Sequence, residues 1–186
     1  MRTPSQAVAA AKATKTNIPG MCQAQVRTWL DAPSAGDFDG DGAADAEDGW
    51  KSEPLSARRY DKTGRPGYPA AFLGGSHDYG HRALFVAPGV VRSTDFNGVT
   101  KRYQAGVVGN GTVDQVASAM GVTYAGWSVT MDGEPIPRDE FTRGWRIDKA
   151  ISRLNHVEAK PGSLKAKMTA AALASLKKIP KRVKKH

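Results

Sequence analysis

The chain has 186 residues, a formal net charge of +9 and a single cysteine, Cys22. This length suffices for one hydrophobic core of ordinary size with appendages. One cysteine excludes an intramolecular disulfide, so the fold must depend on its core and at most a metal, which suits a reducing cytosol. No stretch approaches the roughly 20 apolar residues of a membrane span, and residues 1–20 lack the apolar core of a signal peptide. We therefore expect a soluble protein without a transmembrane segment.

The first two predicted elements are helices. Residues 3–16 predict a short polar helix or arm, which a turn at residues 17–20 ends because Pro and Gly disfavour its continuation. A second helix begins at Cys22, and Val26 and Trp29 recur from it at helical spacing. The thiol should therefore lie at the N-terminus of this helix, near its buried edge.

Residues 31–67 are rich in Gly, Pro and charge, which predicts one long loop organised by something other than a core. Within it, residues 37–48 match the twelve-residue calcium loop of EF-hand type, with Asp at positions 1, 3, 5, 9 and 12 and Gly at position 6. Five adjacent carboxylates would repel one another without a cation. The final Asp in place of the usual Glu resembles dockerin-type loops. One such loop predicts a structural Ca²⁺ rather than a sensor, and the expected ligands are Asp37, Asp39, Asp41, the carbonyl of Ala43, Asp45 and Asp48.

The middle of the chain predicts a strand, an antiparallel hairpin, a short helix and a closing strand. Their expected ranges are 68–73, 81–87 with 90–96, 112–120 and 124–129. The hairpin follows a glycine-rich loop, begins at His81 and turns at Pro88-Gly89. Thr112 and Gln115 form a capping box at the start of the short helix.

The last 28 residues carry nine Lys or Arg side chains and no acidic one, so this tail accounts for the whole charge excess. Its apolar residues recur at helical spacing between Ser163 and Pro180, which predicts an amphipathic helix that docks on the protein's own body or on a partner. Such a tail attracts polyanions, but it has no aromatic residue that could stack on bases. We therefore expect nonspecific contact with polyanions, made mainly by six residues: Lys177, Lys178, Lys181, Arg182, Lys184 and Lys185.

A lone cysteine is often only a small buried apolar side chain. A thiol at a helix N-terminus with a histidine at the start of a later strand is, however, an arrangement that favours thiolate chemistry. Segments 22–29, 69–76, 79–84, 91–95 and 124–128 together resemble CHAP and NlpC/P60-like cysteine peptidases and amidases, with the closest likeness to small proteins of actinobacterial phages. The Gly-His-x-Ala-Leu and Arg-Ser-Thr-Asp elements are the most specific part of the likeness.

The resemblance implies a CHAP/NlpC-P60-like domain at 20–137, which leaves an N-terminal arm at 1–19 and a basic extension at 138–186. It implies an α+β, papain-like fold in which the nucleophile helix packs on an antiparallel sheet. The acidic insert and the tail lie outside the family pattern.

By position, Cys22 is the expected nucleophile, His81 the general base and Asp95 the residue that orients the base. A hairpin with an odd-length turn would place residue 95 opposite residue 83, on the face of His81, whereas a two-residue turn would place Thr94 there. The simplest oxyanion donor is the backbone N–H of Cys22, and Gln23 or another residue would supply a second donor. His77 is expected to face solvent or substrate.

Two main functions follow from the resemblance. The first is a phage peptidoglycan hydrolase, an endopeptidase or N-acetylmuramoyl-L-alanine amidase, made in the host cytoplasm and acting at the cell wall during lysis or DNA entry. The second is a non-catalytic structural or adaptor protein of the virion, whose tail binds other virion proteins. A calcium-dependent, dockerin-like binding module is a weaker third hypothesis, because it leaves most matched segments unexplained.

Overall fold

The computed structural model describes residues 1–33, 36–38, 40–75 and 78–139. The chain divides into two compact units, Met1–Pro137 and Arg138–His186. Only the first unit lies almost entirely within the described residues. The predicted tail helix and the six basic residues expected to contact polyanions lie outside the described residues.

The first unit is an α+β fold with an antiparallel sheet. Its helices are α1 (Pro4–Ala13), α2 (Cys22–Leu30), α3 (Ala46–Ser52) and α4 (Val113–Met120), and Leu55–Ala57 forms one 3-10 turn. Its strands are β1 (Arg58–Arg59), β2 (Pro69–Leu73), β3 (His81–Ala87), β4 (Val90–Ser93), β5 (Phe96–Asn97), β6 (Arg102–Tyr103), β7 (Gly109–Thr112), β8 (Thr123–Ser128), β9 (Thr130–Met131) and β10 (Glu134–Pro135).

Six of these strands form one sheet in the order β1-β8-β2-β3-β4-β7, and every neighbouring pair is antiparallel. The remaining strands form the short ribbons β5-β6 and β9-β10. Helix α2 packs on β3 at the middle of the sheet, and α1 packs on both α2 and β3. The helix predicted to carry the thiol therefore lies directly against the strand predicted to carry the histidine.

The core is formed where α1 and α2 meet the central strands. Ala7 and Ala11 of α1 are fully buried, as are Val26 and Leu30 of α2, and Phe72 of β2 lies in the same cluster. Burial of each of the larger side chains stabilises the fold by roughly 1.5 to 3 kcal/mol. The N-terminal helix thus belongs to the same compact unit as the sheet.

Most predicted elements between residues 3 and 128 are confirmed, including the capping box of α4. There the Gln115 backbone N–H donates to Thr112 Oγ1 at 3.2 Å, and the Thr112 backbone N–H donates to Gln115 Oε1 at 3.0 Å. The second hairpin strand ends three residues early, at Ser93, because Asp95 adopts a left-handed backbone with φ 52°. That conformation cannot continue a strand.

The prediction of one long loop over residues 31–67 was wrong. The segment contains α3, the 3-10 turn and β1. Helix α3 is short and carries three charged side chains, so it has no clear apolar periodicity. It begins at a conventional N-cap, since the Asp45 side chain accepts hydrogen bonds from the backbone N–H groups of Glu47 and Asp48.

Candidate active site

Cys22 is the first residue of α2, where the preceding chain turns sharply into the helix. Gly20 adopts φ +76°, and the Met21 N–H donates to the Ile18 carbonyl at 3.2 Å. The thiol is buried, and burial raises its pKa, while backbone N–H groups of Arg82 and Gln23 act in the opposite direction. Both N–H groups therefore favour the thiolate form of Cys22.

His81 is the first residue of β3 and pairs with Phe72 of β2. Its imidazole is 6% exposed and lies against the Phe72 ring, with 5.9 Å between the ring centroids. Burial lowers the pKa of His81 to about 4, against the weaker opposing effect of the Asp95 carboxylate. The imidazole is therefore neutral at neutral pH. Within the described ranges, which include both side chains, no hydrogen bond joins it to the Cys22 thiol.

The hydrogen-bond partner of His81 is Ser93, the last residue of β4. The distance between His81 Nε2 and Ser93 Oγ is 2.8 Å, and both side chains are buried. Ser93 Oγ is also 3.0 Å from the Thr94 carbonyl oxygen. Sequence reasoning did not identify Ser93, although its place two residues before Asp95 in the Arg-Ser-Thr-Asp element puts it on the same face.

Asp95, the predicted orienting residue, accepts its hydrogen bonds from groups other than His81. Its Oδ1 accepts from Asn17 Nδ2 at 2.9 Å and from the Gly106 N–H at 2.8 Å, and its Oδ2 accepts from the Gly20 N–H at 2.9 Å. Two of these donors lie in the segment that leads into α2. The carboxylate therefore holds the chain just before Cys22 and influences His81 only through its charge.

The strand register explains this difference. Residue 95 was predicted to lie opposite Ala83, but Ser93 occupies that place. The hairpin has the two-residue turn Pro88-Gly89, and an irregularity between Phe85 and Ala87 then shifts the register by one. The shift keeps the odd-numbered residues of β4 on the face of His81, so the predicted face was right and the predicted partner position was not.

A buried ionic cluster lies beside Cys22 and His81 and was not predicted. Arg82 is fully buried, with Nη2 at 3.2 Å from Glu53 Oε1 and at 3.7 Å from Asp132 Oδ1. Gln23, a candidate second oxyanion donor, donates from its side-chain Nε2 to Asp132 Oδ1 at 2.7 Å. A buried Arg inside a strand signals that some acid must pair with it. Nothing in the sequence identified that acid as Glu53, 29 residues away.

In the acidic loop, the carboxylates accept hydrogen bonds from nearby backbone N–H groups. Asp37 accepts from Gly40 at 2.7 Å and from Gly42 at 2.9 Å. Asp48 is fully buried, and its Oδ1 accepts from the Phe38 N–H at 3.1 Å. The loop is thereby folded back on the start of α3, with Asp39 outside the described residues.

The charges of this loop repel one another. Burial raises the pKa of Asp45, the N–H groups of α3 lower it, and the charges of Asp48 and Asp41 raise it further. Hard carboxylate oxygens under mutual repulsion are a donor set that suits Ca²⁺. Among the described residues, which omit Asp39, no three acidic, His or Cys side chains already converge on one point.

The acidic loop is joined directly to the strand of His81. The backbone N–H groups of Ala46 and Glu47, at the start of α3, both donate to the Tyr79 carbonyl at 3.2 Å. Between Tyr79 and His81, Gly80 adopts φ +65°, and a Cβ there would lie 2.6 Å from the Phe72 carbonyl oxygen. The end of the acidic loop therefore fixes the backbone from which the histidine projects.

A cavity of about 440 Å³ opens on another face of α2. It does not include Cys22 or His81, and the residues that line it are Arg2, Ala24, Arg27, Thr28, Asp31 and Ala32. His77, predicted to face solvent or substrate, lies outside the described residues. In the part of the chain that the structure describes, no helix has the length and apolar character needed to span a bilayer.

Comparison with family models, with curated proteins and with solved structures finds no match to this chain. Its function must therefore be inferred from the chemistry of the residues that the fold brings together.

Proposed function

We propose that this protein is a papain-like cysteine hydrolase that cleaves amide bonds of bacterial peptidoglycan. The observation that carries the proposal is that α2 begins at Cys22 and packs on β3, which begins at His81. A nucleophile at a helix N-terminus against a base on the neighbouring strand is the minimum that acyl transfer by a thiol requires. The resemblance to CHAP and NlpC/P60-like enzymes supplies the substrate class.

In this mechanism the Cys22 sulfur attacks the carbonyl carbon of the scissile amide while His81 takes the thiol proton. The resulting tetrahedral oxyanion is stabilised by backbone N–H groups near the sulfur. His81 then returns the proton to the leaving amine, which departs as a thioester forms. Water, deprotonated by His81, attacks the thioester and releases the acid and the free thiol.

The electrostatics favour a neutral thiol and imidazole at rest. Burial raises the pKa of Cys22 and lowers that of His81 to about 4, so a pre-formed thiolate and imidazolium pair is disfavoured. The proton would move during attack rather than before it. Met21, which precedes Cys22, and Tyr79, two residues before His81, are both exposed.

A non-catalytic structural protein of the virion is the second candidate. It is favoured by the burial of both side chains and, within the described residues, by the lack of a hydrogen bond between the thiol and the imidazole. In that case the acidic loop and the basic tail would serve assembly. This candidate predicts that substitutions at Cys22 change stability only.

The two candidates are separated by incubating purified actinobacterial peptidoglycan with the full-length wild type, Cys22→Ala and Cys22→Ser. Fragments released by the wild type alone would establish the hydrolase, and mass spectrometry of their new termini would identify the bond. Circular dichroism of each variant serves as the folding control. An absence of fragments with a folded wild type would favour the structural protein.

We also propose that the acidic loop binds a structural Ca²⁺, which would offset the repulsion among its carboxylates. The ion would stabilise the loop that leads into α3 and, through the Tyr79 carbonyl, the start of β3. Ligand at about 100 times its Kd adds roughly 2.7 kcal/mol to the free energy of unfolding, which corresponds to roughly 5 to 10 °C in Tm.

The test compares Tm in Ca²⁺ and in chelator for the wild type, Asp41→Asn and Glu134→Gln. Glu134 is an exposed acid outside the loop and is the matched control. The wild type and Glu134→Gln should gain stability with Ca²⁺, and Asp41→Asn should gain less. Equal melting temperatures of the wild type with and without Ca²⁺ would refute the site.

The basic tail is proposed to hold the protein on polyanionic surfaces or on other virion proteins. Full-length protein should be retained on an anionic polymer in a salt-dependent way. A variant with Gln at the six basic positions between 177 and 185 should elute at lower salt. Unchanged elution would show that these residues do not mediate the contact.

A further inference from the structure

A histidine that acts as general base needs one ring nitrogen free to accept a proton and the other held in place. In this site the two nitrogens of His81 have different surroundings. Nε2 lies 2.8 Å from Ser93 Oγ, whereas Nδ1 has no hydrogen-bond partner among the described residues. The contact with Ser93 therefore decides which nitrogen carries the proton.

The direction of that hydrogen bond follows from the other contact of Ser93. A serine hydroxyl has one hydrogen, and a backbone carbonyl oxygen can only accept. Because Ser93 Oγ is 3.0 Å from the Thr94 carbonyl, the hydroxyl hydrogen is donated there. The Ser93 oxygen is then an acceptor toward His81, so Nε2 carries the proton and Nδ1 keeps its lone pair.

Asp95 cannot supply this contact in the observed arrangement. Its two carboxylate oxygens accept three hydrogen bonds from Asn17, Gly20 and Gly106, which also hold the turn with φ 52° at residue 95. Releasing the carboxylate toward His81 would break the anchorage of the chain before α2. Asp95 thus positions the segment leading to Cys22, and Ser93 is the group that touches the imidazole.

We propose that Ser93 is the positioning residue of this site: it accepts the Nε2 hydrogen of His81 and leaves Nδ1 to accept the proton of Cys22. The inference rests on the proposed hydrolase function. A neutral hydroxyl orients the imidazole without stabilising an imidazolium as a carboxylate would. This agrees with a base that is uncharged at rest and receives the proton only during the attack.

The first test determines the tautomer of His81 by ¹⁵N NMR of full-length protein labelled at histidine. The chain has four histidines, and His81→Gln assigns the resonance of interest. The neutral Nε2–H tautomer is expected. A dominant Nδ1–H tautomer, or an imidazolium at pH 7, would overturn the proposal whether or not the protein hydrolyses peptidoglycan.

The second test compares Ser93→Ala with two matched variants. Thr94→Val removes the neighbouring buried hydroxyl, whose oxygen has no hydrogen-bond partner within the described residues, and keeps the side-chain shape. Asp95→Asn removes the nearby charge. Ser93→Ala should give mixed tautomers and faster exchange of the Nε2 hydrogen, whereas Thr94→Val and Asp95→Asn should keep the Nε2–H form.

The third readout is kinetic. With peptidoglycan fragments as substrate, Ser93→Ala should lower kcat on the order of tenfold or more with little change in KM, since general-base catalysis contributes about 10²–10⁴-fold. A change of tautomer in Asp95→Asn but not in Ser93→Ala would assign the role to Asp95. If neither the wild type nor any variant hydrolyses peptidoglycan while the tautomers follow this pattern, the contact of Ser93 with His81 still sets the tautomer. Only the hydrolase proposal is then refuted.

Discussion

Replacing Glu53 by Ala should be among the most destabilising single substitutions in the described part of the chain. Glu53 is the C-cap of α3 and is 2% exposed. Its Oε1 accepts from Arg82 Nη2 at 3.2 Å and from the Asp132 N–H at 3.1 Å. Its Oε2 accepts from Ser128 Oγ at 3.1 Å, and also from the Thr130 hydroxyl and the Gly133 N–H.

The expected magnitude follows from what the substitution leaves behind. Arg82 would stay fully buried, and among the described residues the carboxylate left to pair with it would be that of Asp132, at 3.7 Å. Breaking a buried ion pair from one side costs about 3–5 kcal/mol, and the orphaned hydroxyl and N–H donors add to this. Against a total stability of roughly 5–15 kcal/mol, such a loss would lower Tm by about 10 °C or more.

The assay is urea unfolding of full-length protein followed by far-UV circular dichroism. Lys62→Ala is the matched control, because Lys62 Nζ and Asp114 Oδ1 form an exposed ion pair at 2.7 Å whose loss should cost under about 1 kcal/mol. The double variant Glu53→Gln with Arg82→Met should be less destabilised than the sum of its single variants, since the charges of Glu53 and Arg82 are then removed together. Equal effects of Glu53→Ala and Lys62→Ala, or strict additivity in the double variant, would refute the proposed role of the buried ion pair.

Three further predictions concern the residues around the site. Gly80→Ala should lower Tm by more than Gly74→Ala. Both positions have positive φ, but at Gly80 the added Cβ would also meet the Phe72 carbonyl oxygen. Equal losses of Tm would contradict this contact. The rate of alkylation of Cys22 by iodoacetamide should be low at pH 7 and rise past about pH 9, since burial raises the thiol pKa from 9.0; a fast plateau below pH 7 would indicate a thiolate and imidazolium pair. The folded pKa of His81, lowered from 6.5 to about 4, means that the unfolded chain binds a proton in this range while the folded chain does not. Stability should therefore fall by up to about 3 kcal/mol as pH drops from 6.5 to 4, and His81→Gln should show less of this fall in urea titrations.

Local sequence signals predicted the elements that carry the candidate site. The helix beginning at Cys22, the strand beginning at His81 and the turn at Pro88-Gly89 each depend on residues within one short segment. The capping box of Thr112 and Gln115 is of the same kind. Such signals act over a few residues, so they can be recognised without knowing the rest of the fold.

No such local signal exists where the site depends on the exact strand register or on residues far apart in the sequence. The irregularity between Phe85 and Ala87 moved Ser93 to the place opposite Ala83, and one residue of shift decides which side chain meets a neighbour. Helix α3 was overlooked because its short, charged segment gains its stability from a cap and from tertiary contacts rather than from apolar periodicity.

The sequence by itself determined that a thiol begins a helix, that a histidine begins a strand and that an acidic loop lies between them. Only the tertiary structure decided that Ser93 holds His81, that Asp95 anchors the chain before Cys22, and that Glu53 neutralises Arg82. Each of these contacts joins residues from separate segments of the chain, and Asp95 and Glu53 reach partners more than 25 residues away. The free energy of such contacts depends on burial and geometry, which exist only once the elements have packed.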